Sequence, residues 1–479
     1  MPARHSPRSA LALCLAGLVC LTWAGPAARA DPAGTPAPRP AGPAADASGL
    51  VRLSLPQAQA LAQAALRKGQ PKTAFTLTQG LLKANPGNGH AHFIRAHALG
   101  QMKQYRTASL SAARAYRVAR TDMQRFEAAK LAAQLNFAGE QLTSSQIWLR
   151  RTVHYAPDAA TRDTYVKAFR KVRHTNPLRF HLSFSINPSD NVNNGANSPW
   201  NIIEGSPLVG TLSPSARAID GLVAKTDAQG AYRLRQGEGY ETHLTARALS
   251  REIRFDDPVP GISGADISSL RAEVGLRHLW APGEGGHWRA DLSAGRAWYG
   301  GSPYYDFAGL GLSRSQKLGE NTRLTLGAHI ETQADRAPPT TADAMVYSAF
   351  TGLSQRLPGG GRLGAQIRVR EIDSEGTNRS SQQWSGVISY TLGREIGPAR
   401  ISLSAGYSTL DYDQYWVILP IPGGRVDTSW FGGVTASFTD YSYMGFVPVL
   451  SVNSEKSRSN ISRFDVDQTA VSFGIRSEF

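Results

Sequence analysis

Leu178-Arg179-Phe180-His181-Leu182-Ser183-Phe184-Ser185-Ile186-Asn187 alternates one apolar residue with one polar residue for ten positions. Successive side chains of a strand point to opposite faces, so this stretch offers one greasy face and one wet face. The period returns downstream. Tyr240, Leu244 and Ala246 alternate with Glu241, His243 and Arg247; Leu270 to Leu276 with Arg271, Glu273 and Arg277. Trp288 to Ala294 alternates with Arg289, Asp291 and Ser293, and Leu324 to Ile330 with Arg323, Thr325 and His329. Further segments start at Leu363, Trp384, Ile401, Trp430 and Thr469. Segments of this kind predict about fourteen antiparallel strands between 176 and 479, an even number, closing as a transmembrane β-barrel.

The connections support closure. Short turns are expected at 236–239, 282–286, 318–321, 358–361, 394–398 and 440–441, and longer loops at 255–266, 300–303, 333–343, 373–379, 411–426 and 456–463. One short end and one long end is the asymmetry of an outer-membrane barrel. Trp288, Trp298, Trp384, Trp430, Tyr390 and Tyr407 suit interfacial girdles. Phe479, an aromatic closing an alternating strand, resembles the signal read by the barrel assembly machinery.

On the wet face, strand parity places Arg179, Arg271, Arg277, Arg289, Arg323, Arg368, Arg370 and Arg400 in the lumen, with Arg247, opposite Glu241, Glu273, Asp291 and Glu331. Such a wall is either an inert ladder of ion pairs or a conduit for a polar or anionic passenger. After the first strand comes Asn187-Pro-Ser-Asp190-Asn191-Val-Asn193-Asn194-Gly195. Asparagine favours turns and left-handed backbone, which predicts a structured loop. The same density of amides suits the backbone of an extended guest, which makes Asn187, Asp190, Asn191, Asn193 and Asn194 candidate client contacts.

Upstream of Leu178 the period changes. Residues 1–30 carry Arg4 and Arg8, an apolar run from Ala10 to Trp23, and Ala28-Arg29-Ala30, the layout of a signal peptide cleaved after Ala30. Cys14 and Cys20 lie inside it and lack a lipobox, so the mature chain is expected to hold no thiol, disulfide or Cys-ligated metal. Residues 31–50 form a Pro/Ala-rich linker. From 51 to 175, Ala, Leu, Gln and Arg recur at helical spacing, predicting seven helices. Gly-Gln-Pro-Lys-Thr-Ala74 and Lys-Gln-Tyr-Arg-Thr-Ala108 stand 34 residues apart, the tetratricopeptide (TPR) period, with a generic helical bundle as the alternative.

Charge divides along the same line. Between Val51 and Arg173 there are 20 Lys+Arg and 5 Asp+Glu, whereas from His174 onward 28 face 30. The basic excess therefore belongs to the helical half, and an exported chain has no nucleic acid to meet. Arg114, Arg117, Arg120, Arg150 and Arg151 are candidates for holding an acidic client or lipid headgroups.

No catalytic motif stands out. Gly359 to Gly364 satisfies G-x-G-x-x-G but joins two strands, so it reads as a hairpin turn. His90, His92 and His97 miss the i, i+4 spacing of a zinc helix, and His243, His278, His287 and His329 are scattered. The expectation is no enzyme, no cofactor and no metal site.

An exported TPR-like region, a barrel of about fourteen strands and an Asp-Asn-Val-Asn-Asn segment together resemble the surface lipoprotein assembly modulator (Slam) family. The resemblance implies a translocator of lipoproteins or related secreted proteins across the outer membrane. It places the helical domain in the periplasm to engage the client, and the partners are client, outer-membrane lipid and, during biogenesis, the barrel assembly machinery. A monomer is expected. The alternatives are an exopolysaccharide export porin with a periplasmic TPR domain and a simple diffusion porin.

Overall fold

The computed structural model describes residues 53–477, except 208, 284, 338–341, 418, 442, 444 and 445. The expected signal peptide, the linker and Phe479 lie outside these. Contacts divide the chain into two units between Asn176 and Pro177.

The first unit holds seven helices: α1 (Leu55–Arg67), α2 (Pro71–Ala84), α3 (Gly89–Gln101), α4 (Tyr105–Val118), α5 (Asp122–Ala138), α6 (Leu142–His154) and α7 (Ala159–Thr175). Their starts are written in the sequence. Ser54 and Gln57 form a capping box, and Asn88, Thr121 and Asp158 each accept a backbone N–H of the first turn with a side-chain oxygen. Their turns repeat as well. Gly69, Lys103 and Glu140 are all left-handed, at φ +67°, +60° and +58°. The Gln that follows each donates its N–H back to the helix, Gln70 to Ala65, Gln104 to Leu99 and Gln141 to Asn136. That is one Schellman closure used three times. Four residues beyond each Gln, Ala74, Ala108 and Ser145 are fully buried, and Ser145 donates its hydroxyl to the Ala133 carbonyl at 2.9 Å. Small buried residues, Ala96, Ala108, Ala112, Ala128 and Ala132, let α3, α4 and α5 approach closely around Phe93, Leu99 and Leu131. No helix among the described residues is long and apolar enough to cross a membrane.

The second unit is a closed barrel of fourteen antiparallel strands. β1 (Leu178–Ser189) pairs with β4 (Gly221–Gly237) on one side and with β16 (Val466–Ser477) on the other. Between them run β5 (Tyr240–Phe255), β6 (Ser269–Gly283), β7 (Gly286–Tyr299), β8 (Ser302–Lys317), β9 (Thr322–Asp335), β10 (Ala344–Arg356), β11 (Arg362–Ser374), β12 (Ser381–Thr391), β13 (Arg400–Tyr412), β14 (Arg425–Ser437) and β15 (Phe446–Ser459). A separate hairpin, β2 (Trp200–Ile202) with β3 (Val209–Thr211), lies in the β1–β4 connection. The seam is short on one side: β1 meets β4 along its whole length but meets β16 from Phe184 to Ser189.

Cross-wall ion pairs tell inside from outside. Arg271 on β6 reaches Glu331 on β9 at 2.7 Å although β7 and β8 stand between them. Arg179 on β1 reaches Glu241 on β5 at 3.3 Å past β4. Both contacts cut across the interior. The opposite face carries Phe180, Val274, Leu292, Leu310, Ile367, Ile388 and Trp430, all exposed. An apolar belt around a closed wall, with each strand paired on both sides, is what a hydrocarbon layer demands.

One expected loop is absent. Residues 300–303 form no long connection; Gly300 and Gly301, at φ +58° and +77°, close a two-residue turn between Tyr299 and Ser302. Paired glycines at positive φ are what a tight hairpin needs. Gly359 and Gly360, both at +84°, also make a turn, as their sequence predicts.

Candidate functional site

The inner wall is built by parity. Residues 271, 273 and 277 of β6, 289 and 291 of β7, 323, 329 and 331 of β9 and 368 and 370 of β11 share the face of Arg179 and Glu241. Most inward charges are paired. Arg277 and Arg289 grip Asp291 at 2.7 and 2.5 Å, Arg247 binds Asp227 through two nitrogens at 3.0 and 2.8 Å, and Arg271 lies 3.5 Å above the Phe307 ring while holding Glu331. Glu331, nearly buried, also accepts from Gln333 at 2.9 Å. His243, 2% exposed, stands 3.3 Å from Glu241 without hydrogen-bond geometry.

Pairing thins on one flank. Arg323 donates to Ser315, and Arg368 lies over Phe350 at 5.8 Å; Arg368 and Arg370 have no ion-pair partner among the described residues. Arg400, near the short-turn end of β13, holds Glu395 at 3.2 Å. From β12 to β16 the inward face is rich in serine and glycine, including Ser385, Ser389, Ser404, Gly406 and Ser451, but it also carries Phe431, Glu455, Arg476 and the Arg425–Asp427 pair. Ion pairs are therefore densest from β4 to β9, and serine is commonest from β12 to β15.

The asparagine segment is a structured loop. Asn191 is fully buried, its amide nitrogen donating to the Gly195 carbonyl and its oxygen accepting the Gly195 N–H, both at 2.8 Å. Asn193 donates to the Ser215 and Arg217 carbonyls and accepts from Ile219 N–H, and Asn187 donates to the Val223 carbonyl at 2.8 Å. Asp190 accepts the Thr469 N–H, and Asn194 takes φ +50°. Asn187, Asn191 and Asn193 thus spend their amides on the loop itself, while Asp190 and Asn194 stay exposed. The turn they close is folded inward. Val192, fully buried, sits with Ile219 against Val223 and Ile253, which share the face of Asp227 and Arg247. Arg251 donates to the Val192 carbonyl at 2.6 Å. The β1–β4 connection thus narrows the long-loop mouth.

In the helical unit, Arg114, Arg117 and Arg120 are exposed on and beside α4. Arg150 and Arg151 are partly used: Arg151 lies 4.3 Å above the Trp148 ring and Arg150 5.4 Å above Phe169. Both guanidiniums lie over aromatic rings and both residues are half-buried, so they form a less available surface than the α4 cations. Arg95, Arg114 and Arg117 surround His92, whose Nε2 bonds the Pro86 carbonyl at 2.9 Å; burial, then these cations, keep its pKa low. No cluster of metal-ligating side chains occurs among the described residues.

No family model and no curated protein matches the chain. Solved structures do. OmpT of Vibrio cholerae, an outer-membrane protein, is 9% identical, covers 63% of this chain and 97% of its own, at a TM-score of 0.33. An anion-selective porin from Comamonas acidovorans is 10% identical over 63% of this chain and 98% of its own, at 0.31. The Pseudomonas putida toluene transporter TodX is 11% identical over 68% and 91%, also at 0.31. At these scores the likeness carries no weight of its own, and the barrel rests on its strand pairing.

Several functional-looking residues escape the sequence pattern. Lys225 and Asp227 sit on β4, where Gly221 to Gly237 does not alternate cleanly. Arg425 binds Asp427 and lies 3.2 Å above Phe464, joining two long connections. Arg296, Asp306 and Arg336 face outward, where a charge breaks the apolar alternation. That break is the signal that locates them.

Proposed function

We propose that the protein is an outer-membrane translocator that moves lipoproteins or related secreted proteins to the cell surface, its helical unit engaging the client in the periplasm. The observation that carries this reading is the union, in one chain, of a closed barrel with a charged inner wall and a basic helical unit of repeated Schellman-closed hairpins. A repeat stack offers a peptide an extended surface, and exposed Arg114, Arg117 and Arg120 favour an acidic one. The reading assigns no chemical step and no cofactor. A monomer suffices, because the barrel closes on itself.

The test is surface exposure of a co-expressed lipoprotein, read by protease shaving of intact cells. The full chain is expected to raise exposure, and deletion of 53–173 to abolish it while the barrel remains folded. Unchanged exposure after that deletion would remove the helical unit from the mechanism. A second reading, export of an anionic polysaccharide, is favoured by Arg368 and Arg370, which face inward with no ion-pair partner among the described residues. Polymer release that depends on those two arginines, with lipoprotein exposure unaffected, would select it.

A further inference from the structure

The outward face of β7, β8 and β9 is apolar through Leu292, Leu310, Leu326 and Ile330 and then changes abruptly near the long-loop end. Arg296 of β7 donates Nε and Nη2 to the two oxygens of Asp306 on β8, at 2.5 and 3.0 Å. Arg336, just beyond β9, donates Nε to the same carboxylate at 3.0 Å. Register fixes the side: Arg296 lies opposite Ala272 and Asp306, on the face of Leu292 and Leu310, not of Arg271. Two guanidiniums share one carboxylate, so the cluster keeps a net positive charge. Both arginines remain about half exposed, at 44% and 53%, with N–H groups to spare.

Its height is telling. At the other rim of the same face, Trp288 stacks on Trp280, and Arg314 lies 5.1 Å above Trp288. Eight residues of tilted strand separate Trp288 from Arg296, roughly 20 Å along the barrel axis, close to the height of an apolar belt. Arg296 therefore stands at the edge of the hydrocarbon, where headgroups begin. Below the cluster the wall is indented. Ala328 and Ala349 leave a furrow of about 490 Å³ between Leu310, Leu312, Ile330, Tyr347 and Val369, with Glu371 at its end. Leu310 is four residues down β8 from Asp306, and Ile330 six down β9 from Arg336, about 13–20 Å along the strands.

A cationic fork above an apolar trough has the layout of a lipid, phosphate above and acyl chain below. Planar guanidiniums bind phosphate oxygens through paired N–H groups, and a site at the belt edge strengthens that contact. We propose that this surface seats a phosphorylated, acylated glycolipid of the lipid A class, its phosphate on Arg296 and Arg336 and one acyl chain in the furrow. The choice of leaflet rests on the proposed orientation, with the long loops outside; the binding chemistry does not depend on the client.

The test uses the purified full chain in detergent, with diphosphoryl lipid A, its dephosphorylated form, phosphatidylglycerol and inorganic phosphate as probes, read by native mass spectrometry. One diphosphoryl lipid A per chain should be retained, and the dephosphorylated form should not. R296A/R336A should weaken retention about tenfold or more. Ala328→Phe, which fills the furrow and leaves the charges alone, should weaken it as well. R314A, at the opposite rim, should not. Unshifted heat-modifiable migration on gels shows that each variant still folds. Equal retention by wild type and both variants would overturn the proposal, as would displacement by millimolar inorganic phosphate or equal retention of phosphatidylglycerol. Client exposure measured in the same strains reports on translocation separately, so either idea can fail alone.

Discussion

Arg271 shows what a charge inside the wall requires. It holds Glu331, leans on Phe307 and approaches Tyr305, so removing it leaves a nearly buried carboxylate without its cation. Breaking such a pair costs about 3 kcal/mol, more than the pair itself contributes. Arg271→Ala is therefore expected to lower the denaturant midpoint of the barrel clearly, whereas Arg271→Ala with Glu331→Gln should recover part of the loss. Equal losses in the two variants would refute the coupling. His97 makes the parallel case in the helical unit. Burial, and then Lys130, push its pKa down to about 4, and its ring meets Phe93 edge-on at 4.8 Å. The folded chain thus keeps it neutral while the unfolded chain takes up a proton below about pH 6.5. That stability is complete above 6.5 and is lost as the pH falls toward 4. Thermal melts followed at 222 nm, a helix signal, should show the helical unit about 1–2 kcal/mol weaker at pH 5 than at 7.5. His97→Gln should shrink the difference, and a flat profile in the parent would count against the assignment.

At the scale of elements, two of the three Schellman closures use Lys103 and Glu140 where glycine fits better. A side chain at positive φ costs about 1 kcal/mol, so Lys103→Gly should raise the helical melting free energy by roughly 0.5–1 kcal/mol. A fall would mean that the Lys103 side chain carries contacts outside the turn. The same closures explain what the sequence reveals. The first two repeats are legible because Gly69 and Lys103 fall 34 residues apart, while the third is displaced because α5 runs to 17 residues. Its Gln141 and buried Ser145 keep the positions but not the letters. Strands are legible where lipid meets one face and polar groups meet the other, as in β1 and β7. They are hidden in β4, where Ala224, Ala228 and Gly230 face outward and give no contrast. The asparagine loop is legible as a turn-rich segment, but not as a fold of the mouth, because Val192 gains its meaning from Ile253, sixty-one positions away in the chain. Asn191→Ala leaves the Gly195 amide unsatisfied in a buried site, which costs about 1–3 kcal/mol locally. The turn should then loosen, with larger or noisier single-channel currents in planar bilayers. Currents identical to the parent would mean that this turn does not limit the mouth.

For the whole molecule, the decisive property is the division of charge, with the basic excess in the helical unit and near neutrality in the barrel. If that excess recruits a client, recruitment must weaken as salt screens it, since exposed charges lose their reach beyond about 8–10 Å at physiological ionic strength. Arg114, Arg117 and Arg120 are the place to ask, because they are exposed and lie on and beside one helix, while Arg150 and Arg151 are engaged with aromatics. Reversing the first three to Glu should slow capture of an acidic client about tenfold at low salt and little at half-molar salt. The same change should leave the melting of the helices within about 0.5 kcal/mol, because none of the three is buried. Reversal of Arg151 should do the opposite, destabilising the fold by removing the plate on Trp148 and changing capture less. Interchanged results would place the client surface around Trp148 instead. That outcome would relocate recognition to the aromatic-backed arginines and make long-range steering a minor part of how a client is found.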